Sequence, residues 1–366
     1  METKLLFNSK EYQLARYPKT EDKSLRAWSN AELLVLDYIT DKKQNKIHLF
    51  NDRFGIWNSV LSNKNPVTVW TYASQQKAIV HNLELNNLST DVVYKTPLQD
   101  LGKVDLALMK VPKSLELFEV FLQQIHKAAN SETEIVCGFM TKHFSTSFLK
   151  VAEQYFGEVL QSKAWKKARL LVLKAPIEVI KYKDLVNKVD WDGDFLQQYY
   201  GVFSSGKVDV GTRFLLENLQ VQPNELNVLD VASGNGIIAF EVLRQNLDAK
   251  VTLVDDFNLA VASSELNIDG ERAQFVCGDN LEGVARESFD LVVSNPPFHF
   301  EHENNIEVSV LLFKGVRNCL KKDGRFLLVA NSHLNYKTHL KKVFAEVEIV
   351  KTNNKFIIYE CVGGNT

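Results

Sequence analysis

Short apolar runs alternate with amphipathic segments along the whole chain. Runs of about four to eight apolar and β-branched residues predict buried strands, and longer segments with apolar residues three and four apart predict helices. In the first half the predicted strands are 46–50, 67–70, 104–109 and 133–139, and the predicted helices are 31–39, 74–85 and 115–125. In the second half the predicted strands are 227–231, 250–254, 274–277, 289–293 and 325–330, with one helix ending at 267 and another at 307–320. This alternation predicts an α/β fold.

The two halves repeat one plan. Three pairs of segments lie at a nearly constant spacing of 181 to 185 residues: 51–55 and 232–236, 84–86 and 265–267, and 104–106 and 289–291. Because the order of the predicted elements also matches, the spacing predicts a duplicated Rossmann-like domain. We place the boundary between 175 and 190, which gives domains 1–183 and 184–366.

A glycine-rich turn follows the first strand of the second half. Asp230 lies in that strand, and Ala232-Ser233-Gly234-Asn235-Gly236 leads into the next helix. Glycine allows a sharp turn and a close approach of the backbone to a ligand. Asp230, Ala232, Gly234 and Gly236 are therefore predicted to hold a cofactor, although such a turn alone is shared by many nucleotide and phosphate binders.

Two further acidic residues follow strands in the same half. Asp255 ends the second strand about twenty residues on, where a carboxylate accepts hydrogen bonds from ribose hydroxyls. Asp279 follows the third strand and is predicted to meet an adenine amino group. A lone Asp is more often a helix N-cap. Three such residues in order favour the cofactor interpretation.

The fourth strand ends in Asn295-Pro296-Pro297-Phe298-His299. Two prolines make this loop rigid because each fixes φ and lacks an N–H. Ligands of open α/β sheets bind at the carboxyl ends of the strands. The loop is predicted to hold a planar base, and His299 is given no catalytic role.

The first half lacks these features at the matching positions. It has Asn51-Asp52-Arg53-Phe54-Gly55 in place of the glycine loop and Lys110-Val111-Pro112-Lys113 in place of the Asn-Pro-Pro segment. Arg53 and Phe54 would crowd a cofactor that lies against the backbone. The first domain is therefore predicted to be degenerate and to serve in binding.

Charge separates the halves further. Residues 1–190 carry 27 Lys+Arg and 21 Asp+Glu, a balance of +6, whereas residues 191–366 carry 16 and 24, a balance of −8. Lys166, Lys167 and Arg169 lie in the most basic stretch and are candidates for RNA contact, against the plainer interpretation of a solvated surface. Trp165 beside them is predicted to be a core residue.

Composition excludes several classes of protein. No apolar run approaches the roughly 18 residues of a membrane helix, and no signal-peptide core follows the amino terminus. The four cysteines form no CxxC pair, so neither a zinc site nor a disulfide framework is predicted. These features predict a cytoplasmic protein.

The ordered landmarks, ending in Asn295-Pro296-Pro297-Phe298, resemble those of class I methyltransferases that use S-adenosylmethionine. More narrowly, the loop and the segment 201–211 resemble the ribosomal RNA guanine-N2 methyltransferases of the RlmG and RsmC type, which also carry an inactive methyltransferase-like domain in front. Further stretches of the large-subunit (23S) branch occur at 16–18, 51–55, 164–170 and 352–356. One departure is Ala232-Ser233, where the family has Gly-Cys; a positive φ at Ala232 would put cofactor affinity in doubt.

The resemblance implies methyl transfer from S-adenosylmethionine to the exocyclic N2 of a guanine in 23S ribosomal RNA, free or in an assembly intermediate. Asn295 and the Pro296 carbonyl would accept hydrogen bonds from the amine, and Asn295 would also contact the cofactor. Phe298 would stack on the base, and Phe203 would contact the substrate, either in a lid or as the support of one. No obligate protein partner is implied. Three alternatives stay open: a 16S rRNA target, N-methylation of another planar amine or amide such as adenine N6 or protein glutamine, and a non-catalytic RNA-binding assembly protein.

Overall fold

The computed structural model describes residues 2–20, 22, 24–42, 46–296 and 306–363, with only the backbone of 306–308. Packing divides the chain into Met1–Leu185, here unit 1, and Val186–Thr366, here unit 2. Among the described residues, no helix has the length and apolar character needed to cross a bilayer.

Unit 1 begins with a hairpin and continues as alternating strands and helices. Its strands are β1 (Lys4–Phe7), β2 (Lys10–Gln13), β3 (Ile47–Phe50), β4 (Val67–Val69), β5 (Val93–Lys95), β6 (Leu106–Lys110), β7 (Glu134–Met140), β8 (Phe156–Gln161) and β9 (Ala168–Pro176). Its helices are α1 (Asn30–Ile39), α2 (Ile56–Val60), α3 (Ala73–Leu85), α4 (Leu115–Ala128) and α5 (Thr146–Ala152), with short 3-10 turns at Ser62–Lys64 and Thr141–His143.

Unit 2 has the same succession. Its strands are β10 (Val186–Trp191), β11 (Asp194–Tyr199), β12 (Asn227–Val231), β13 (Lys250–Asp255), β14 (Ala273–Cys277), β15 (Phe289–Ser294), β16 (Leu320–Asn331), β17 (Glu346–Thr352) and β18 (Phe356–Val362). Its helices are α6 (Val210–Leu216), α7 (Ile237–Gln245), α8 (Asn258–Asn267), α9 (Ile306–Cys319) and α10 (Tyr336–Leu340).

Within the described residues, each unit has one seven-stranded sheet, and the two sheets have the same strand order. Unit 1 runs β5-β4-β3-β6-β7-β9-β8 and unit 2 runs β14-β13-β12-β15-β16-β18-β17. The first five strands are parallel, while β9 and β18 are antiparallel to both neighbours. In each sheet the order reverses beside the first strand, so the crevice where such folds bind ligands lies between β12 and β15 in unit 2.

Local sequence explains where the elements start and what they bury. Ser29 caps α1 through a capping box with Glu32, and Asp209 caps α6 by accepting from the N–H groups of Gly211 and Thr212 at 2.8 and 3.1 Å. The central parallel strands are buried on both faces, as the consecutive residues Val228 and Leu229 of β12 show, which is why they are continuous apolar runs in the sequence.

The predicted duplication is confirmed by matching backbone detail. Asn51 and Gly55 have φ of 57° and 75°, and Ala232 and Gly236, 181 residues later, have 58° and 81°. The duplicated asparagines 86 and 267 also match: each side chain bonds both the N–H and the carbonyl of a glutamine in the leading hairpin, residue 13 or 197, at 2.7 to 2.8 Å. The α/β class and the tandem arrangement are therefore as predicted.

Some local predictions were wrong. The strand predicted at 325–330 begins earlier, because residues 322–324 lie inside β16 at an irregularity in its pairing with β15. Gly324 permits this because a Cβ there would lie 2.8 Å from the carbonyl oxygen of Phe289. The hairpin β10–β11 was not predicted, although its turn residues Asp192 and Gly193, with φ of 47° and 88°, are a typical hairpin signal.

Candidate active site

A narrow cavity of about 50 Å³ opens at the carboxyl ends of β12 and β15. Its wall includes the glycine loop 232–235, the α6 cap Asp209, Thr212 in α6, and Asn295 after β15. The predicted loop and the predicted Asn therefore lie at one cavity, although about sixty residues separate them in sequence.

Three residues of the loop have left-handed backbone. Ala232, Gly234 and Gly236 have φ of 58°, 57° and 81°. A Cβ on Gly236 would lie 3.0 Å from Ile268, whereas one on Gly234 would meet nothing within 4 Å. Gly234 thus leaves open space where a ligand can approach the backbone.

Ala232 has the positive φ that would put cofactor affinity in doubt. A left-handed alanine costs roughly 1 kcal/mol relative to glycine. A backbone contact of the fold itself helps to fix this conformation, since the Ala232 N–H donates to the Val254 carbonyl at 2.8 Å. We therefore expect the strain to lower the free energy of unfolding more than the affinity for a cofactor.

The two acidic residues of the loop region have raised pKa values. Burial raises the pKa of Asp230 to about 7; its Oδ2 accepts from the Ala239 N–H at 3.1 Å. Desolvation raises the pKa of Asp255 to about 6. Its two oxygens accept hydrogen bonds of 2.9 Å from the N–H groups of Phe257 and Gly234, and these bonds partly offset the rise. Asp230 is fully buried and bonds the first turn of α7 just after the loop, while Asp255 bonds the loop itself at Gly234.

Asn295 is held in one orientation by α6. Its Nδ2 donates to Thr212 Oγ1 at 2.8 Å and to Asp209 Oδ2 at 3.2 Å. Its Oδ1 is buried and has no hydrogen-bond partner among the described residues. An amide fixed in this way presents a carbonyl oxygen that is ready to accept a hydrogen bond. Sequence reasoning missed Thr212, because nothing local links it to a loop 83 residues away.

Phe203 is tied to the glycine loop through one glutamine. Gln198 Nε2 donates to the carbonyls of Val202 and Phe203 at 3.1 Å, and its Oε1 accepts from Asn235 Nδ2 at 2.9 Å. Phe203 itself is 69% exposed beside the cavity. Gln198 is a second residue that sequence reasoning missed.

Other predicted residues lie elsewhere or outside the described chain. Asp279 lies two residues after β14. Pro296 is buried. Pro297, Phe298 and His299 lie outside the described residues. The predicted RNA contacts Lys166, Lys167 and Arg169 belong to unit 1.

Two family profiles divide the chain between them. Residues 2–177 match the RLMG N-terminal domain and residues 194–360 match the methyltransferase small domain. Ribosomal RNA large subunit methyltransferase G of Yersinia enterocolitica is 33% identical over 98% of this chain and 94% of its own length. The chain belongs to the family of ribosomal RNA large subunit methyltransferase G. A second member, from Klebsiella pneumoniae, is 32% identical over 96% of both chains.

A solved structure has the same two-domain fold as this member of the methyltransferase G family. The T. thermophilus 16S rRNA N2 methyltransferase RsmC, solved in complex with AdoMet and guanosine, superimposes with a TM-score of 0.78 over 99% of this chain and 97% of its own, at 19% identity. The two tandem class I methyltransferase domains predicted from the sequence are thus confirmed.

Unit 1 of this methyltransferase G family member has lost the corresponding site. The strand registers show which positions correspond in the two units. Phe50 pairs with Val69 and Met109 in unit 1, and Val231 pairs with Val254 and Ser294 in unit 2. The residues that follow these partners therefore correspond as well: Trp70 matches Asp255, and Lys110 matches Asn295. Unit 1 therefore has Trp70 where unit 2 has the carboxylate of Asp255.

The α1 positions that match Asp209 and Thr212 carry Ser29 and Glu32. Lys110 Nζ lies 2.7 Å from Glu32 Oε1, and Glu32 is 2% exposed. The amide of unit 2 is thus replaced by an ion pair that offers no carbonyl acceptor.

A buried arginine fills the glycine loop of unit 1. Arg53, in the place of Gly234, is 5% exposed, donates to Ser74 Oγ at 2.7 Å and lies over the Tyr72 ring at 5.1 Å. The space left open by Gly234 in unit 2 has a side chain at the corresponding position in unit 1. This confirms that the first copy is degenerate.

Proposed function

We propose that this protein transfers a methyl group from S-adenosylmethionine to the exocyclic N2 of a guanine in large-subunit (23S) ribosomal RNA. The observation that carries the proposal is the Oδ1 of Asn295, which is buried, oriented by two hydrogen bonds and unpartnered among the described residues beside the glycine loop. The family membership supports large-subunit ribosomal RNA as the substrate. The RsmC structure, solved with AdoMet and guanosine, supports guanine as the target base and S-adenosylmethionine as the cofactor.

The residues around the glycine loop fit the cofactor. Gly234 leaves room for close approach, and the carboxylate of Asp255 would accept hydrogen bonds from the ribose. Asp230 anchors the start of α7, which follows the loop, by accepting from the Ala239 N–H. Ala232 and Gly236 would shape the turn, and Asp279 would accept from the adenine amine. When bound, S-adenosylmethionine supplies an electrophilic methyl group on a sulfonium.

Asn295 would act on the base. A guanine N2 amine is a poor nucleophile because its lone pair is delocalised into the ring. Acceptance of its two N–H groups by Asn295 Oδ1 and the Pro296 carbonyl favours a more tetrahedral nitrogen whose lone pair is free for in-line attack. Most of the catalysis is then positioning, with Phe298 stacked on the base and Phe203 over the site.

Asp209 and Thr212 would set the direction of that amide. If the amide were reversed, its NH₂ would face the amine of the base and no hydrogen bond would form. The negative charge of Asp209 at 3.2 Å also polarises the amide and strengthens Oδ1 as an acceptor.

The two domains would divide the work. Residues 184–366 carry the reaction and the degenerate residues 1–183 bind RNA, either free or in an assembly intermediate of the large subunit. No obligate protein partner enters this scheme, and the reaction would take place in the cytoplasm.

Incubation with methyl-labelled cofactor tests the proposal, first with protein-free ribosomal RNA and then with assembled subunits. N2-methylguanosine in 23S RNA is expected. N6-methyladenosine, or label in 16S RNA or protein, would instead support one of the alternative targets, and no label with any substrate would contradict the enzyme. Asn295→Ala should lose turnover and retain cofactor affinity by calorimetry; equal loss of both would contradict its role.

A further inference from the structure

Two neighbouring loops of unit 1 form a strongly basic surface. Residues 141–145 lie between β7 and α5, and residues 162–167 precede β9, which runs antiparallel beside β7. Together they contain no carboxylate side chain. Their ionisable side chains are all exposed: Lys142, His143, Lys163, Lys166 and Lys167. We call these two loops the basic tip.

Hydrogen bonds hold the basic tip in shape. The Thr141 N–H donates to the Lys167 carbonyl at 2.9 Å and so joins the two loops. Trp165 and Ala168 exchange N–H to carbonyl bonds of 2.9 and 2.8 Å. Asn30 Nδ2 donates to the Lys166 carbonyl at 3.0 Å and anchors the turn to the start of α1. The surface is therefore preorganised for a ligand.

The turn itself is made of residues that do not favour it. Lys166 and Lys167 have φ of 45° and 64°, so the two central positions of this tight turn both have left-handed backbone. Asn-Gly or Asp-Gly is the preferred pair in such a turn, and Asp192-Gly193 supplies it in the hairpin of unit 2. Strained residues that persist at an exposed position point to a function. Neither lysine forms an ion pair within the described residues, so both charges remain available.

An aromatic ring completes the surface. Trp165 is 40% exposed, which corrects the prediction that it is a core residue. Lys166 Nζ lies 4.7 Å from the centre of its ring. Exposed aromatic rings among lysines are typical of proteins that bind single strands, since bases stack on the rings and phosphates pair with the cations. Arg169 is half-buried, and its Nε is buried without an acceptor in the described part of the chain, so we leave it out of this surface.

We infer that the basic tip binds a single-stranded segment of the RNA substrate, with Lys142, Lys166 and Lys167 on phosphates and Trp165 stacked on a base. The identity of the partner rests on the proposed function. The chemistry favours an unpaired strand because a duplex offers phosphates but no free base face to Trp165.

The double variant Lys166→Asn/Lys167→Gly separates charge from fold. It installs the pair that the turn prefers, so the melting temperature should stay the same or rise. Anisotropy titration of the full chain with a fluorescein-labelled single-stranded RNA should show weaker binding. The slope of log affinity against log salt should fall by about 1.4, which corresponds to two lost phosphate contacts.

Lys64→Gln/Lys127→Gln is the matched control. Both lysines are exposed and precede β4 and β7, at the amino edge of the same sheet. The control removes the same charge and should leave the salt slope close to that of the parent protein. An equal loss in the control would mean diffuse attraction and would overturn the inference.

Trp165 is tested by a different readout. Trp165→Leu should weaken single-strand binding by about 5- to 150-fold with the salt slope unchanged, and Trp165→Phe should restore most of it. Parent affinity for the same strand annealed to its complement should be lower. Equal affinity for the duplex, competition by heparin or an acidic peptide as strong as that by RNA, or no effect of Trp165→Leu would each contradict single-strand recognition.

Methylation assays distinguish this inference from the proposed function. If both hold, the tip variants raise KM for RNA and leave kcat within about twofold. If no RNA is methylated but the tip variants still lose RNA binding, the proposed function fails and the inference stands. Normal methylation with unchanged KM and RNA affinity in the tip variants would overturn the inference alone.

Discussion

Thr212→Val is expected to slow methyl transfer without disturbing the fold. Valine has the shape of threonine, and Thr212 is 7% exposed, so the substitution removes one hydroxyl and little else. The backbone N–H of residue 212 still donates to Asp209, so the α6 cap remains. Asp209 is a less suitable target because it also caps that helix.

The magnitude follows from the single hydrogen bond that is lost. Thr212 Oγ1 accepts from Asn295 Nδ2 at 2.8 Å, and a neutral bond of this kind contributes about 0.5–1.5 kcal/mol net. Asp209 still holds the amide from the other side, so the orientation is weakened and not abolished. If this hydrogen-bond energy contributes to stabilising the transition state, its loss lowers kcat by about 2- to 13-fold.

Single-turnover methylation at saturating RNA and cofactor measures the effect, alongside cofactor affinity by calorimetry and the melting temperature. Thr212→Ser restores the hydroxyl and should restore kcat. In an Asn295→Ala background, Thr212→Val should cause no further loss, because the group it orients is gone. A parent-like kcat in Thr212→Val, or the same loss in both backgrounds, would refute the amide-orienting role.

Three further results are expected. Ala232→Gly removes the strain of a left-handed alanine, and a gain of about 1 kcal/mol should raise the melting temperature of a unit of this size by about 2–4 °C. Cofactor affinity should not change. Higher cofactor affinity without a higher melting temperature would mean that the strain is present only in the cofactor-bound state. Protonation of Asp255, whose folded pKa is about 6, should weaken cofactor binding as the pH falls through 6, and Asp255→Asn should flatten that dependence in calorimetry. The pKa of Asp230 is raised from 3.8 to about 7 in the folded protein. The associated stability is fully present below pH 3.8 and is lost as the pH rises to 7. Asp230→Asn should therefore raise the melting temperature more at pH 8 than at pH 4, and the opposite order would contradict the raised pKa.

The alternation of strands and helices could be predicted closely because each central strand is buried on both faces and each helix has one apolar face. The prediction of 227–231 coincides with β12, and that of 31–39 lies one residue inside α1. The degenerate first copy was also predictable, since Arg53 replaces a glycine that borders open space.

The orienting contacts of Asn295 were not predictable from the sequence. Asp209 and Thr212 lie 86 and 83 residues before it and meet it only after α6 packs on the sheet that contains β15. The φ of Ala232 was undecided for a similar reason, because the carbonyl of Val254 on the neighbouring strand helps to fix it. The exposure of Trp165 was missed because two consecutive lysines give no signal for a tight turn.

The asparagine contacts shared by the two units have an evolutionary consequence. Asn86 and Asn267 have kept the same partners in the leading hairpin, while Lys110 and Asn295 have diverged completely. A copy released from selection for the reaction retains what its architecture requires and drifts at positions that only the reaction requires. Each unit is therefore an internal reference for the other: positions alike in both record the demands of a shared scaffold, and positions that differ record the separate histories of two once identical domains.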